Sequence, residues 1–176
     1  MKLTIETNRL ILRPFEISDA KDMYEGWASD EEVTKYLTWG AHKSIEDTKS
    51  ILSLWVKEYE KEERINFAIV LKETNELIGG IDVVGYLEGI PVIGYVLSRK
   101  YWNKGIMSEA LQKVKEFLFS LGHNKIIIDA VEQNIGSNRV IIKCGGVFQN
   151  SYPDILKCSN KTVNINRYFI LKKNEI

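Results

Sequence analysis

The chain has 176 residues, 44% of them hydrophobic, which fits one ordinary domain with a sizeable core over 1–176. Its 24 basic residues balance 24 acidic ones, so no global charge draws it to nucleic acid or to an anionic membrane surface. No stretch approaches the ~20 apolar residues that span a bilayer, and the N-terminal MKLTIETNRLILRPF alternates polar and apolar residues instead of forming a secretion signal. Cys144 and Cys158, with His42 and His123, match no metal motif and are too few for a disulfide framework. The expectation is a cytoplasmic, reduced, metal-free protein.

In chain order, residues 3–13 read as a first strand, and Ser18 and Asp19 offer an N-cap for a helix through Met23, Tyr24 and Trp27. A short helix follows over 31–37, then an aromatic-rich irregular loop, YLTWGAHKS. Ser44 and Asp47 resemble an acidic capping box, opening a helix whose apolar side carries Ile51, Leu52, Trp55 and Tyr59. KEYEKEER is the solvated end of that helix. From Ile65 the period changes to two, predicting strands over 65–71, 77–84 and 92–98 that form an antiparallel meander. Ala110, Leu111, Val114, Phe117, Leu118 and Leu121 then recur at helical spacing after Ser108, ending at Gly122, a C′ glycine. KIIIDAV is a buried strand, Ser137 or Asn138 caps a short helix that stops at Gly145 and Gly146, and VNINRYFIL is the last strand. There is no internal repeat and no linker.

The turn before the helix that follows Ser108 stands out. In YWNKGIMSEA a glycine and a lysine lead into a helix with little capping chemistry. Gly105 removes a Cβ from the middle of the turn and Lys104 adds mobile positive charge. Unpaired amides and the helix dipole at such a start accept an anion. A turn that merely packs is the other reading. Neither a Walker loop nor a Rossmann fingerprint is present.

Taken together, the strand–turn–helix at 92–121 and the strand–helix at 125–144 resemble the acetyl-CoA-binding core of the GNAT superfamily of N-acetyltransferases. ETNRLILRPF with its SDA helix start, the YW-x-KG-x-x-x-EAL turn, and N-x-x-S-x-x-V-x-x-K-x-G at 134–145 are similar to its RimJ/RimL-like branch, relatives of ribosomal-protein N-terminal acetyltransferases. The likeness runs through nearly the whole chain and selects phosphate binding for the turn. It implies an α+β fold with a mixed, mainly antiparallel central sheet flanked by helices. It also implies acetyl-CoA as co-substrate, no metal, a primary-amine acceptor, and a monomer or homodimer.

By the same resemblance, the pyrophosphate motif falls on Trp102, Asn103, Lys104, Gly105, Ile106 and Met107, with Ser108 completing the run of amides. The pantetheine arm is implied to pair with the main chain of Val96 and Leu97 and to meet the Asn134 side chain. Ser137 matches a hydroxyl near the thiol. Read as residues alone, Asn134 is a turn residue, Ser137 an N-cap and Trp102 a packing residue. Two positions depart from the family. Val92 stands where many relatives carry a glutamate base, and Ile141 where many carry a tyrosine acid. His42, Asp82, Asp129, Glu132 and Tyr152 are the remaining candidates for proton transfer, and none stands out. Tyr36, Trp39 and His42 are either the wall of an acceptor pocket, suited to an ammonium through cation–π attraction, or ordinary surface packing. An enzyme acetylating a primary amine leads, and a domain that holds CoA without turning it over is the alternative.

Overall fold

Residues 66–71 set the layering of the molecule. Phe67 and Ile69 fall on one side of the strand and Ala68 and Val70 on the other, and all four are buried. A strand that is apolar on both faces needs cover on both, and the rest of the chain supplies it. The computed structural model describes residues 3–60, 64–156 and 159–173. Cys158 and part of the KEYEKEER run lie outside the described residues.

The elements follow in order as β1 (Ile5–Glu6), β2 (Leu10–Arg13), α1 (Ala20–Met23), α2 (Glu31–Thr34), α3 (Ile45–Glu60), β3 (Asn66–Leu71), β4 (Glu76–Leu87), β5 (Ile90–Leu97), α4 (Ile106–Ser120), β6 (Lys125–Val131), α5 (Ile135–Lys143), β7 (Val147–Leu156) and β8 (Lys161–Leu171). They form one eight-stranded sheet in the order β1-β2-β3-β4-β5-β6-β8-β7. Every neighbouring pair is antiparallel except β5 and β6, which run parallel. The expected mixed, mainly antiparallel α+β architecture is the one observed.

One face is covered by α4, whose Ile106, Ala110, Leu111, Val114 and Leu118 pack with Ile69, Ile78, Ile126 and Ile128, and by Ile141 of α5. The other is covered by the N-terminal helices through Phe15, Met23, Trp27 and Leu52. Each fully buried Leu or Ile contributes about 1.5–3 kcal/mol relative to exposure. The capping box on α3 forms as expected, with Asp47 N donating to Ser44 Oγ and Ser44 N to an Asp47 oxygen, both at 3.1 Å. Gly122, at φ 97°, ends α4 as its C′ residue.

Four details differ from the sequence reading. The first strand is a hairpin, because Thr7 N and Leu10 O bond at 3.0 Å and fold β1 back on β2. Asp19 is not a side-chain N-cap of α1 but the third residue of a capping box on a 3-10 turn over Ile17–Asp19. It reaches back to Glu16 N and to the Arg13 guanidinium, all at 2.8 Å. α4 begins at Ile106 rather than after Ser108. Finally, β7 extends from Val147 to Leu156 despite Pro153. It is an edge strand, where a missing N–H on the outer side costs nothing.

Candidate active site

β5 and β6 pair only at Val92↔Ile127 and Ile93↔Ile128, although β5 continues to Leu97 and β6 to Val131. Past Ile93 the two strands part, opening a cleft in the sheet. Antiparallel alternation decides which main-chain groups of β5 face it. Ser98 N donates to Ile78 O at 2.8 Å, so Val96, opposite Gly80, bonds into β4. Tyr95 and Leu97 therefore turn their amides and carbonyls to the open side. Leu97 O is taken by the Trp102 indole N–H at 2.8 Å, which gives Trp102 a structural bond. The free edge groups at this end of β5 are those of Tyr95 and the Leu97 amide, not those of Val96.

Beyond β5 the chain makes a 3-10 turn over Arg99–Tyr101 and enters α4 through Asn103 at φ 60° and Gly105 at φ 72°, both left-handed. Glycine suits such a conformation because it has no Cβ to clash. The first bond of the helix runs from Glu109 N to Gly105 O at 3.1 Å. Among the described residues, none of the six amides from 103 to 108 donates a hydrogen bond. Met107 is 5% exposed and packs into the core, so its side chain does not stand over these amides.

A cavity of about 570 Å³ joins the open edge of β5 to this turn. Its wall includes Val96, Leu97, Trp102, Asn103, Gly105, Ile106, Met107, Ser108, Asn134 and Ser137. Lys104 is not in the wall, and its ammonium lies 5.3 Å from the centre of the Tyr101 ring. Tyr36 is in the wall; Trp39 and His42 are not. The Lys35 ammonium already covers the Tyr36 ring at 5.3 Å, so that face is not open to a substrate cation. His42 stacks on Trp39 at 5.1 Å, its Nδ1 bonds Thr48 Oγ1 at 2.8 Å, and burial lowers its pKa.

The sequence reading missed three residues of the cavity wall that carry chemistry: Tyr95, Arg139 and Lys143. Arg139 and Lys143 lie one turn apart on α5, a spacing visible in the sequence once the helix is known to start at Ile135. The Tyr95 hydroxyl lies 2.8 Å from Ser137 Oγ and donates to Ser137 O at 3.2 Å. Burial pushes the Tyr95 pKa well up, so the phenol stays protonated. Ser137 does not cap α5. That position belongs to Asn134, whose side-chain oxygen accepts from Ser137 N at 3.2 Å. Asn138 is also not a cap, and holds the start of the helix to the sheet. Its amide donates to Val131 O and Asn134 O at 3.0 and 2.7 Å, and its oxygen accepts from Tyr168 at 2.7 Å.

Ile141 is fully buried and Val92 contributes no ionisable group. Of the other candidates for proton transfer, none is in the cavity wall. Asp82 is pushed up to about 6 by burial and pairs with Arg64 at 2.8 Å. Asp129 bonds Arg167 and Tyr152, and burial and Asp129 raise Tyr152 to about 12. Glu132 accepts from Asn164 at 3.2 Å. Glu32 is the one carboxylate among the wall residues, and it pairs with Lys35 at 3.5 Å. Among the described residues no cluster of three or more His, Cys, Asp or Glu is placed to hold a metal, and no helix is long and apolar enough to cross a membrane.

Residues 9–147 match the family of acetyltransferase (GNAT) domains. The N-acetyltransferase p20 of Bacillus licheniformis is 30% identical over 174 residues, 97% of each chain. Among solved structures, a GNAT-family acetyltransferase from Bacillus anthracis superposes with a TM-score of 0.81 at 31% identity, covering 96% of this chain and 98% of its own. RimL, a ribosomal-protein α-N-acetyltransferase solved with coenzyme A, shares the fold with a TM-score of 0.85 at 18% identity, covering 96% and 98%. The parted strands and the unpaired amides thus occur in a chain matched along nearly its whole length by acetyltransferases, and the protein belongs to the GNAT family, whose acetyl donor is acetyl-CoA.

Proposed function

We propose that the protein moves the acetyl group of acetyl-CoA to a primary amine, either a protein N-terminal α-amine or a small amine, by direct attack with both substrates bound. The observation that carries this reading is the run of six unpartnered amides at 103–108 beside the cleft between β5 and β6. These donors, at the positive end of the α4 dipole, suit a pyrophosphate. Arg139 and Lys143 add positive charge to the same cavity. The open edge of β5 offers Tyr95 and Leu97 main-chain groups to an extended amide-bearing arm. Bound there, acetyl-CoA supplies a thioester as acyl donor.

The residues of this chain then bind, orient and exclude water. Ser137 and Tyr95 hold a pair of hydroxyls in the wall, and we assign Ser137, backed by Tyr95, to proton donation at the departing sulfur. No wall residue replaces the missing base at Val92. An α-amine, with pKa near ~8, needs less help to lose its proton than a lysine-like amine near ~10. That difference favours α-amines as acceptors.

Thiol release from acetyl-CoA, measured against a panel of N-terminal peptides, polyamines, aminoglycosides and amino acids, tests the reading. We expect acceptor-dependent thiol release, with the acetylated amine identified by mass spectrometry. A protein that binds CoA tightly yet releases no thiol with any acceptor would be the non-catalytic alternative.

A further inference from the structure

The Thr-x-Arg of the first hairpin and the Glu-Ala-Leu in the first turns of α4 are motif residues that stand outside the cavity wall. They meet beneath the 103–108 turn, across about a hundred residues of sequence. Glu109 Oε1 accepts from the Thr7 hydroxyl at 2.5 Å and from Arg9 N at 3.0 Å. Glu109 Oε2 accepts from Arg9 Nε at 2.7 Å. Arg9 Nη1 turns the other way and donates to Lys104 O at 3.0 Å. Its Nη2 lies 3.7 Å from where a Cβ on Gly105 would stand.

This arrangement answers two physical difficulties. The turn passes through two left-handed residues, and its six amides make no bonds of their own. Parallel N–H dipoles repel, so some outside contact must keep them convergent. The bond from Arg9 to Lys104 O fixes a peptide in the middle of that turn. The second difficulty is charge. Glu109 sits in the first turn of α4, where a carboxylate suits the helix but repels an anion bound at its start. The Arg9 guanidinium cancels that charge while leaving the amides unobstructed.

We infer that Arg9, Glu109 and Thr7 form a charge-compensated clamp, and that Arg9 is a positioning residue for the pyrophosphate of CoA. The inference rests on the placement of that pyrophosphate at 103–108. Because Arg9 is largely exposed, its ion pair contributes little to global stability. The effect of removing it belongs in donor binding instead.

The experiment compares acetyl-CoA with S-acetylpantetheine, which lacks the pyrophosphate, in the wild type, in Arg9→Gln and in Arg9→Gln/Glu109→Gln. Arg9→Gln should weaken CoA binding and acetyl-CoA kcat/KM roughly tenfold, the scale of a lost charge-assisted contact. Its melting temperature and its kcat/KM for S-acetylpantetheine should stay near wild type. The double variant, with the unpaired carboxylate removed, should recover the part of the CoA affinity lost to that charge, while the part due to the missing bond to Lys104 O stays lost. An Arg9→Gln protein with wild-type CoA affinity overturns the clamp. Equal losses with both donors, or a double variant no better than the single, would do so too. Gly105→Glu tests the underlying placement separately. If that folded variant keeps full CoA affinity, the pyrophosphate is not at the turn and the placement itself is wrong.

Discussion

The Ser137 hydroxyl has one protein partner, the Tyr95 phenol at 2.8 Å, and each can donate to the other. Tyr95 stands on β5 between Gly94 and Val96, and its ring packs toward the α4 side of the core. Ser137 stands in the first turn of α5. The pair therefore links the two arms of the cleft at the point where β6 has already moved away. Burial keeps the phenol neutral, so it stays a hydrogen-bonding partner that orients the serine hydroxyl. Ser137→Ala is expected to lower kcat by roughly 100-fold or more, the usual worth of a positioned acid being about 10²–10⁴, with little change in KM for acetyl-CoA. Tyr95→Phe should cost less, and the double variant should be no slower than Ser137→Ala alone, since the two act in series. Unchanged kcat in Ser137→Ala would remove both residues from the chemistry.

Two elements frame the cavity, and each depends on a small local feature. In β4, a Cβ on Gly79 would fall well inside contact distance of Val96 O and within 3.1 Å of Leu97 Cα, so only glycine lets β5 approach where it lines the cavity. In α5, Asn134 completes the N-terminus with its side-chain oxygen, while among the described residues its amide nitrogen makes no hydrogen bond. Losing that cap by Asn134→Ala should destabilise the protein by ~1 kcal/mol. Asn134→Asp keeps a capping oxygen but removes the amide donors. We expect it to restore the melting temperature but not acetyl-CoA kcat/KM, because Asn134 lines the cavity proposed to take the pantetheine arm. Recovery of both quantities in Asn134→Asp would make Asn134 a cap and nothing more.

At the scale of the whole molecule, pH acts on stability through carboxyls that are not in the cavity wall. Asp82 is buried beneath the end of α3, and burial raises its pKa from 3.8 to about 6 despite the pair with Arg64. The folded state therefore binds this proton more tightly than the unfolded chain does. Its stabilising contribution is complete below pH ~4 and is lost as pH rises through about 6. Glu109 and Glu76, whose carboxyls are held low by their partners, act in the opposite sense. Subtracting the melting curve of Asp82→Asn, which does not titrate there, isolates the Asp82 term. Relative to that variant, the wild type should gain on the order of 2 kcal/mol as pH falls from 7 to 4. A difference that does not vary with pH would show that the carboxyl titrates normally in the folded protein.

The sequence by itself determined the periodic and the local features. Period two marked the meander from Ile65 to Leu97, helical spacing marked α4, and the capping box marked the start of α3, because each follows from residues a few positions apart. Gly105 and the amide run at 103–108 were legible for the same reason. Tertiary structure decided what depends on distant pairing. Only the register of β5 on β4 shows that Tyr95 and Leu97, rather than Val96, face the cleft, and only the fold brings Tyr95 to Ser137 across forty-two positions. Asn134 displaced Ser137 as the cap of α5 because the chain leaves β6 through a turn anchored on Val131 O, which no local pattern encodes. For Trp39 and His42 the sequence left a pocket wall and ordinary packing open; they pack on each other and on Thr48 beside α3, since the neighbouring helices set where that loop lies. Thr7 and Arg9 read as strand residues in the sequence, and their contacts beneath the 103–108 turn, on which the proposed clamp rests, depend on a carboxylate a hundred positions away in the chain.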